Sequence, residues 1–328
     1  MKRIALLLAA VAAAVVGARA ALAHTARATV QAGVVIVNTN LAFHNGAAAG
    51  TGIVLTSSGE VVTNNHVIRG ASRITVVDPR THRRYAARIV GYDVADDIAV
   101  LQLRHATGLA TVALGSSAGL KVGQPVTAVG NAGGTGSLTV TTGTITGLAR
   151  AITVADESGA EALAGLVETD AQLQPGDSGG PLLDSGGRVI GIDTAASSGF
   201  SFRNANDGYA IPIDKVVTVA RQVVAGHGSA SVHVGRTAFL GVSVQSADAY
   251  GGGGILVGGV IAGGPAAKGG LGTGDIITSV DRRAVASQNA LVAALLLHHP
   301  GDRVTVAWTD RIGDDHAATV TLASGPPQ

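Results

Sequence analysis

The repeated pattern of short apolar runs between residues 30 and 212 constrains the fold of this chain more than any other feature. Runs rich in Val, Ile and Thr alternate with Gly, Ser, Asn and Asp. A spacing of roughly 8–12 residues between such runs is typical of an all-β sandwich or barrel. The turn Ser57-Ser58-Gly59 between two of them predicts a hairpin. The predicted strands include 34–37, 52–56, 60–63, 74–77, 98–103, 125–129, 138–142, 167–170, 189–192 and 208–213.

Composition supports a packed core and excludes several kinds of site. Hydrophobic residues make up 46% of the chain, and 47 Gly and 9 Pro in 328 residues stay below the roughly 25–30% that marks low-complexity chains. The formal net charge is +1, without a basic block, which argues against nucleic acid or an anionic membrane as a partner. Because the chain has no Cys, a disulfide framework, a Cys-ligated zinc site and a cysteine nucleophile are excluded.

Residues 1–23 have the pattern of a secretory signal peptide. Lys2 and Arg3 precede an uncharged, mostly aliphatic run over 4–17, and residues 21–23 (ALA) fit the small-x-small cleavage rule. We expect cleavage after residue 23. An uncleaved anchor is the alternative, although the run is short for a membrane-spanning helix. Export combined with the absence of Cys indicates a bacterial protein of the cell envelope or the extracellular space.

The sequence pattern changes after residue 212 and predicts a second domain. Apolar residues recur at helical spacing over 214–224, and glycines follow. Residues 227–236 are small and polar and are interpreted as a linker. We therefore expect a first domain over 24–226 and a smaller α+β domain over 237–326. The second domain has predicted strands at 239–244, 255–260, 275–280, 303–308 and 317–322, and predicted helices at 265–269 and 287–297.

Three segments of the first domain carry the residue types of nucleophilic catalysis. His66 follows the run VVTNN, Asp96 and Asp97 precede IAVL, and Ser178 lies in QPGDSGGPL. A serine hydroxyl needs a neighbouring base and an anion-stabilising pocket to react at neutral pH. The glycines around Ser178 allow the N–H groups of Gly176 and Ser178 to converge as an oxyanion hole. His66 would take the serine proton, and an acid would fix the tautomer of its ring. Alternation along 98–103 does not decide between Asp96 and Asp97.

Six segments in order resemble a trypsin/chymotrypsin-fold serine protease of the HtrA/Deg type. The resemblance implies a mainly β, double-barrel domain with the site between its barrels and the triad His66, Asp97 and Ser178, because the family's acid directly precedes Ile-Ala. It also implies no metal or organic cofactor and a trimer or larger assembly. The segments are 50–55 (GTGIVL), 63–67 (TNNHV), 97–101 (DIAVL), 176–182 (GDSGGPL), 191–195 (GIDTA) and 210–213 (AIPI).

The first domain departs from the family pattern at two acidic positions. The family usually has Asn where this chain has Asp177 and Asp193, and the role of both acids stays open. Gln172, six residues before the serine, is not an acid, so a trypsin-like preference for Arg or Lys is not supported. The resemblance implies cleavage after small aliphatic residues, which Asp193 could alter.

The second domain resembles a PDZ domain. Phe239-Leu240-Gly241-Val242 looks like its carboxylate-binding loop, and 264–267 (GPAA) and 270–277 (GLGTGDII) match the run after its second strand. N–H groups at Leu240, Gly241 and Val242 can hold a terminal carboxylate, and the following strand edge can add a peptide strand. Leu291 and Leu295 lie four apart on one helix face and could wall the groove; the alternative is that they are plain core.

These resemblances imply an exported serine endopeptidase that degrades unfolded or mislocalised polypeptides and captures peptide C-termini in its PDZ module. The alternative, from another class, is a catalytically silent peptide-binding or holdase protein of the cell envelope. An esterase is disfavoured, since the strand–elbow–helix context and chain order of that fold are absent. His298, His299 and 314–316 (DDH) only weakly suggest a metal site, and solvated turns are the commoner explanation.

Overall fold

The computed structural model contains two β-barrels followed by a small α+β unit. The predicted signal peptide, 1–23, lies outside the described residues. The structure describes residues 31–41, 46–156, 159–194, 208–246 and 253–328.

The first barrel has six antiparallel strands in the order β5-β4-β1-β2-β3-β6 and is closed by pairing between β5 and β6. The predicted hairpin at 57–59 is confirmed, since Ile53 pairs with Val62 across the turn. Gly59 has a φ of 98° there, which glycine adopts without steric cost. The strands are β1 (Val34–Leu41), β2 (Ala47–Val54), β3 (Glu60–Thr63), β4 (Ala71–Val77), β5 (Arg84–Asp93) and β6 (Ile98–Leu103).

The second barrel is closed in the order β10-β11-β12-β9-β8-β7. An apolar core between the two barrels is completed by the buried face of a helix after β12. Each barrel also has a buried apolar cluster of its own. The strands are β7 (Pro125–Gly130), β8 (Thr139–Asp156), β9 (Gly159–Thr169), β10 (Pro181–Leu183), β11 (Val189–Asp193) and β12 (Gly208–Pro212); the helices are α1 (Asn65–Ile68), a 3-10 turn (Ala132–Gly134) and α2 (Ile213–Val224).

The α+β unit has its own core around Trp308 and the apolar faces of two helices. Its main sheet has the order β15-β16-β17-β19-β20, with β18 on β17, and β14 pairs with β21. The elements are β14 (Thr237–Phe239), β15 (Val242–Ser246), β16 (Ile255–Val260), α3 (Pro265–Gly269), β17 (Ile276–Val280), β18 (Arg283–Ala284), α4 (Gln288–Leu295), β19 (Arg303–Thr309), β20 (Asp315–Thr321) and β21 (Ala323–Gly325).

The segment interpreted as a linker, 227–236, contains a further strand, β13 (Val232–Val234), which pairs with β5 of the first barrel. His233 of this strand is buried, with a ring centroid 5.3 Å from that of Tyr92. Its Nδ1 lies 3.0 Å from the carbonyl oxygen of Leu296, and its Nε2 lies 3.1 Å from that of Arg236. The ring therefore fastens the end of α4 to the first barrel.

The segment after β21 makes a second connection to the first barrel. The side-chain amide of Asn65, next to His66, donates to the carbonyl of Gln328 at 3.0 Å. The N–H of Gly70 donates to the carbonyl of Pro327 at 2.9 Å. Both contacts flank α1, so the last residues of the α+β unit support the helix that carries His66.

The predicted fold class, a mainly β double barrel followed by a small α+β domain, is confirmed. The helix predicted over 214–224 is α2, and the two predicted in the second domain are α3 and α4. Helix α1 was not predicted, because four residues carry no helical periodicity. Within the described segments, no helix is both long and apolar enough to cross a bilayer.

Candidate active site

The turn between β3 and α1 positions His66 beside Asp97. Asn64 and Asn65 are fully buried and both bond to the backbone of Asp97: the Asn64 side-chain amide donates to its carbonyl at 3.0 Å, and the Asn65 N–H at 3.2 Å. His66 is the second residue of α1. The two asparagines thus fix the segment of His66 against the start of β6.

The Asp97 carboxylate holds His66 at two points. Its Oδ2 lies 2.8 Å from His66 Nδ1, and its Oδ1 accepts the backbone N–H of His66 at 2.9 Å. The Thr194 hydroxyl also donates to Oδ2, at 3.2 Å. Asp97 has a φ of 53°, a left-handed conformation that Asp tolerates better than most residues. This geometry fixes a proton on Nδ1 and leaves Nε2 as the basic nitrogen.

The structure separates the two acids that the sequence left open. Asp96 turns to α2, where its Oδ1 lies 2.5 Å from Lys215 Nζ, and both side chains are about one-third exposed. Asp97 is buried against His66. In this arrangement Asp97 bonds to His66 and Asp96 does not, and the catalytic role of Asp97 stays a prediction.

The loop that carries Ser178 is a tight turn held by its own backbone and by the side chain of Asp177. The N–H of Asp177 donates to the carbonyl of Gln174 at 3.0 Å, and the Asp177 carboxylate accepts the N–H of Gln174 at 2.9 Å. Gly176 has a φ of 100°, which a residue with a Cβ adopts only with strain. This conformation is compatible with N–H groups of 176 and 178 directed to one side.

The serine loop is packed on the first barrel at Thr51 of β2. The Thr51 N–H donates to the carbonyl of Ser178 at 2.8 Å, and its hydroxyl donates to that of Gly176 at 2.7 Å. A Cβ at Gly179 would lie 2.1 Å from the Thr51 carbonyl oxygen. The Thr63 hydroxyl, at the end of β3, donates to that same carbonyl at 2.7 Å. Ser178 therefore lies where the barrels meet, on the strand pair that leads to His66.

The tetrapeptide DSGG occurs twice in the chain, and only the first copy belongs to this site. Residues 177–180 are buried between the barrels, whereas 184–187 form the turn between β10 and β11, with Ser185 exposed. In that turn the Asp184 side chain accepts backbone N–H groups of Gly186 and Arg188. The motif alone does not distinguish a nucleophile from a hairpin turn. The contact of residues 176–178 with Thr51 of the first barrel distinguishes the first copy from the second.

Two further acids are buried behind Ser178. Burial raises the pKa of Asp177 to about 6. Asp193 is fully buried, and its desolvation, followed by the charge of Asp177, raises its pKa well above the usual range. Among the described residues, no hydrogen-bond partner reaches Asp177 Oδ1 or either carboxylate oxygen of Asp193.

The α+β unit and the first barrel enclose a cleft of about 600 Å³. Gln288, Val292 and Leu296 line it from the α4 side, and Val242 lines it from β15. Of the predicted carboxylate-binding loop, the two end residues Phe239 and Val242 line this cleft. Leu240 is buried and pairs with α3, since its carbonyl accepts the N–H of Ala266, and Gly241 has a φ of 84°.

The predicted groove wall of Leu291 and Leu295 is wrong by one helix position. Both residues are buried in the core of the α+β unit, as the alternative interpretation had it. The face that lines the cleft carries 288, 292 and 296 instead. Because α4 is apolar on both faces, periodicity does not reveal which face is the core.

The weak metal hint in the second domain has another explanation. His316 Nε2 lies 2.9 Å from Asp310 Oδ2, its ring stacks on Trp308, and His298 lies near Asp281 and Asp302. The described segments contain no cluster of three or more His, Asp or Glu suited to a metal ion.

Gln172, the residue six before Ser178, bonds through its side-chain amide to the carbonyl of Asp170 in the first domain.

Comparison with known proteins matches two separate parts of the chain to two domain families. Residues 50–192 match the trypsin-like peptidase domain, and residues 238–322 match the PDZ domain. The chain is 36% identical over 295 residues to Protease Do-like 1, chloroplastic, of Arabidopsis thaliana, and 34% identical over 294 residues to Serine protease Do-like HtrA of Lactococcus lactis. The solved HtrA-type protease AlgW with tripeptide superposes with a TM-score of 0.53 and 30% identity, over 92% of this chain and 98% of that one.

The coverage of these relatives is unequal. The matches take in 85% and 84% of this chain, but the chain spans 64% of the Arabidopsis protein and 71% of the Lactococcus protein.

Proposed function

Because the chain belongs to the HtrA/Do-like family of trypsin-like serine proteases, we propose that it is an exported serine endopeptidase that cleaves polypeptides through an acyl-enzyme. The observation that carries the proposal is the His66–Asp97 pair, which is held by two hydrogen bonds and lies beside the buried Ser178 loop. Metal and organic cofactors have no role in this proposal.

We assign His66 as the general base. With Nδ1–H donating to Asp97, Nε2 is free of a proton and can accept that of Ser178 Oγ as the oxygen attacks the scissile carbonyl. The resulting imidazolium is stabilised by the Asp97 carboxylate and then protonates the leaving amine. Water, activated by the same base, hydrolyses the acyl-enzyme. The Thr194 hydroxyl supports this role by holding Asp97 Oδ2.

We assign the N–H groups of Gly176 and Ser178 as the oxyanion hole. The positive φ of Gly176 and the anchoring of its carbonyl by Thr51 support this assignment. Preorganised donors of this kind are worth about 10²–10³-fold in kcat each.

We assign unfolded or mislocalised polypeptides as substrates and peptide C-termini as ligands of the PDZ unit. The cleft beside α4 and β15 has a β-strand at its edge, as peptide capture by strand addition requires. Export follows from the signal-like segment 1–23, and assembly into a trimer or larger oligomer stays a prediction. The position of α1 between the active-site loop and the cleft supports communication between the two.

The test is the Ser178→Ala variant, with Ser185→Ala in the second DSGG copy as its matched control. We expect Ser178→Ala to lose casein hydrolysis and labelling by a fluorophosphonate probe, while Ser185→Ala retains both. Casein turnover that persists in Ser178→Ala would refute the assignment. If the wild type takes no label with or without a C-terminal peptide, the silent peptide-binding alternative replaces the enzyme.

A further inference from the structure

The segments that carry Asp177 and Asp193 are joined by two backbone hydrogen bonds of the serine loop. The N–H of Gly179 donates to the carbonyl of Asp193 at 2.8 Å, and the N–H of Asp193 donates to the carbonyl of Gly180 at 2.7 Å. This pairing places the two acids on facing segments, one directly before Ser178 and the other directly before Thr194, the partner of Asp97.

Both carboxyl groups are shielded from solvent by apolar or backbone atoms. Asp177 packs on Gly130 at the end of β7, where a Cβ would lie 2.4 Å from its Oδ1. Asp193 is fully buried on β11, between the strands that carry Pro181 and Ala210. One oxygen, Asp177 Oδ2, accepts the N–H of Gln174. The three other oxygens are acceptors without a donor among the described residues.

The other titratable groups on the neighbouring described elements have partners of their own. His66 and Asp97 bond to each other, and Thr194, the residue after Asp193, donates its hydroxyl to Asp97. Tyr209 of β12 donates to Glu168 of β9 at 3.3 Å. Arg203 and Asp207 belong to 195–207, outside the described residues, and Arg203 is therefore included in the test below.

Two adjacent buried carboxylates are unfavourable when both are charged. Desolvation disfavours each charge, and the like charges repel, so such pairs hold a proton to unusually high pH. A single proton between the two acids removes the repulsion and supplies a donor to one of the unpartnered oxygens. An Asn at either position would supply an amide donor in the same place.

We propose that Asp177 and Asp193 share one proton, the carboxyl hydrogen of one acid donating to the other, and that this pair positions the Ser178 loop. The catalytic consequence rests on the proposed protease function, whereas the shared proton does not. Loss of the last proton leaves two buried negative charges on the segments that hold 176–178, and repulsion then separates them and disrupts the oxyanion hole.

The first test is the pH profile of kcat/KM, measured with a fluorogenic peptide for the wild type, D177N, D193N and the double variant. In the wild type we expect a descending limb above the apparent pKa of the pair, with kcat/KM falling about tenfold per pH unit. The double variant, which is neutral at every pH, should lack this limb while keeping the ascending limb set by the base. Superimposable wild-type and double-variant profiles between pH 5 and 10 would overturn the proposal.

The second test does not require activity. A carboxyl whose pKa is higher in the folded protein stabilises the fold fully below the unfolded pKa, about 3.9, and loses that contribution as pH rises through the folded pKa. For Asp177 this window runs from about 3.9 to about 6, and for Asp193 it extends higher. Relative to the double variant, the folding constant of the wild type should fall by up to about tenfold per pH unit and per group in this window. A constant difference between the two proteins would contradict a shared proton.

The R203Q variant separates a shared proton from a buried cation. If Arg203 neutralised both acids, R203Q would remove stability around neutral pH and change the pH profile, and the proposal would fail. We expect its profile and stability curve to match those of the wild type. If the wild type and all the variants lack activity but the stability window is present, the proposed protease function fails and the proton-sharing pair stands.

Discussion

Asp97 accepts both the ring Nδ1 and the backbone N–H of His66, one on each carboxylate oxygen, at 2.8 and 2.9 Å. A single carboxylate therefore fixes the tautomer of the imidazole and the first turn of the helix that carries it. Rotation of the ring would break its bond to Oδ2, while the backbone N–H of His66 keeps the carboxylate in place through Oδ1.

Replacement of Asp97 by Asn should remove most of the catalytic activity. An Asn amide has one oxygen, so it cannot accept from both the backbone N–H and Nδ1–H of His66. If its NH₂ faces Nδ1, the ring proton moves to Nε2, and Nε2 can no longer accept the proton of Ser178. In the triad template this change lowers kcat by about 10⁴-fold. Asp96→Asn is the matched control, because it removes only a partly exposed ion pair with Lys215, worth about 0–1 kcal/mol. A kcat that falls equally in both variants would contradict the assignment of Asp97.

Thr194 should act as a positioning residue for Asp97. A hydrogen bond to a charged group is worth about 1.5–3 kcal/mol, so Thr194→Val should lower kcat/KM by about 10- to 100-fold, with little change in KM. Thr194→Ser retains the hydroxyl and should restore most of the activity. Equal losses in Val and Ser variants, with an unchanged melting temperature, would show that the methyl group and not the bond matters.

The strand spacing and the three chemical motifs could be read directly from the sequence, because both are local patterns. Alternating Val, Ile and Thr runs report buried strands, and the glycines near Ser178 report an unusual backbone. The identity of the acid could not be derived from the same data. Asp96 and Asp97 are neighbours in sequence, and only the tertiary contacts separate them, since Lys215 of α2 pairs with Asp96 while Asp97 bonds to His66.

The remaining features depend on contacts between segments far apart in the chain. The bond from Thr194 to Asp97 spans 97 residues, and that from Thr51 to Gly176 spans 125. No periodicity reports such contacts. The cleft-lining face of α4 is not predictable from the sequence for the same reason. Residues 288, 292 and 296 face a cleft whose opposite wall is formed by the first domain.

Gly179 should be irreplaceable, whereas a glycine of similar φ on the surface should not be. Gly179 has a φ of 84°, and Gly226, after α2, has a φ of 77°. Left-handed backbone costs a residue with a Cβ roughly 1–2 kcal/mol, so Gly226→Ala should lower the free energy of unfolding by about that amount. Nothing lies within 4 Å of a Cβ at Gly226, while one at Gly179 meets Thr51 and Thr63. Gly179→Ala should therefore cost more stability and also abolish fluorophosphonate labelling; equal melting temperatures of the two variants would contradict this packing.

The two faces of α4 should separate peptide binding from stability. Val292 lines the cleft, and its neighbour Leu291 is 4% exposed in the core. Val292→Asp places a negative charge where a peptide carboxylate and its apolar side chains would lie, and should weaken binding at least about tenfold while keeping the melting temperature within a few degrees. Leu291→Ala leaves a core cavity and should cost about 2–5 kcal/mol of stability, with binding retained below its melting temperature. Fluorescence anisotropy with a labelled decapeptide ending in Val, and with its amidated form as a control, measures binding, and thermal and denaturant unfolding measure stability. Equal affinity of the wild type and Val292→Asp for the free-carboxylate peptide would exclude this cleft as the peptide site, because a charge at 292 lies in its lining.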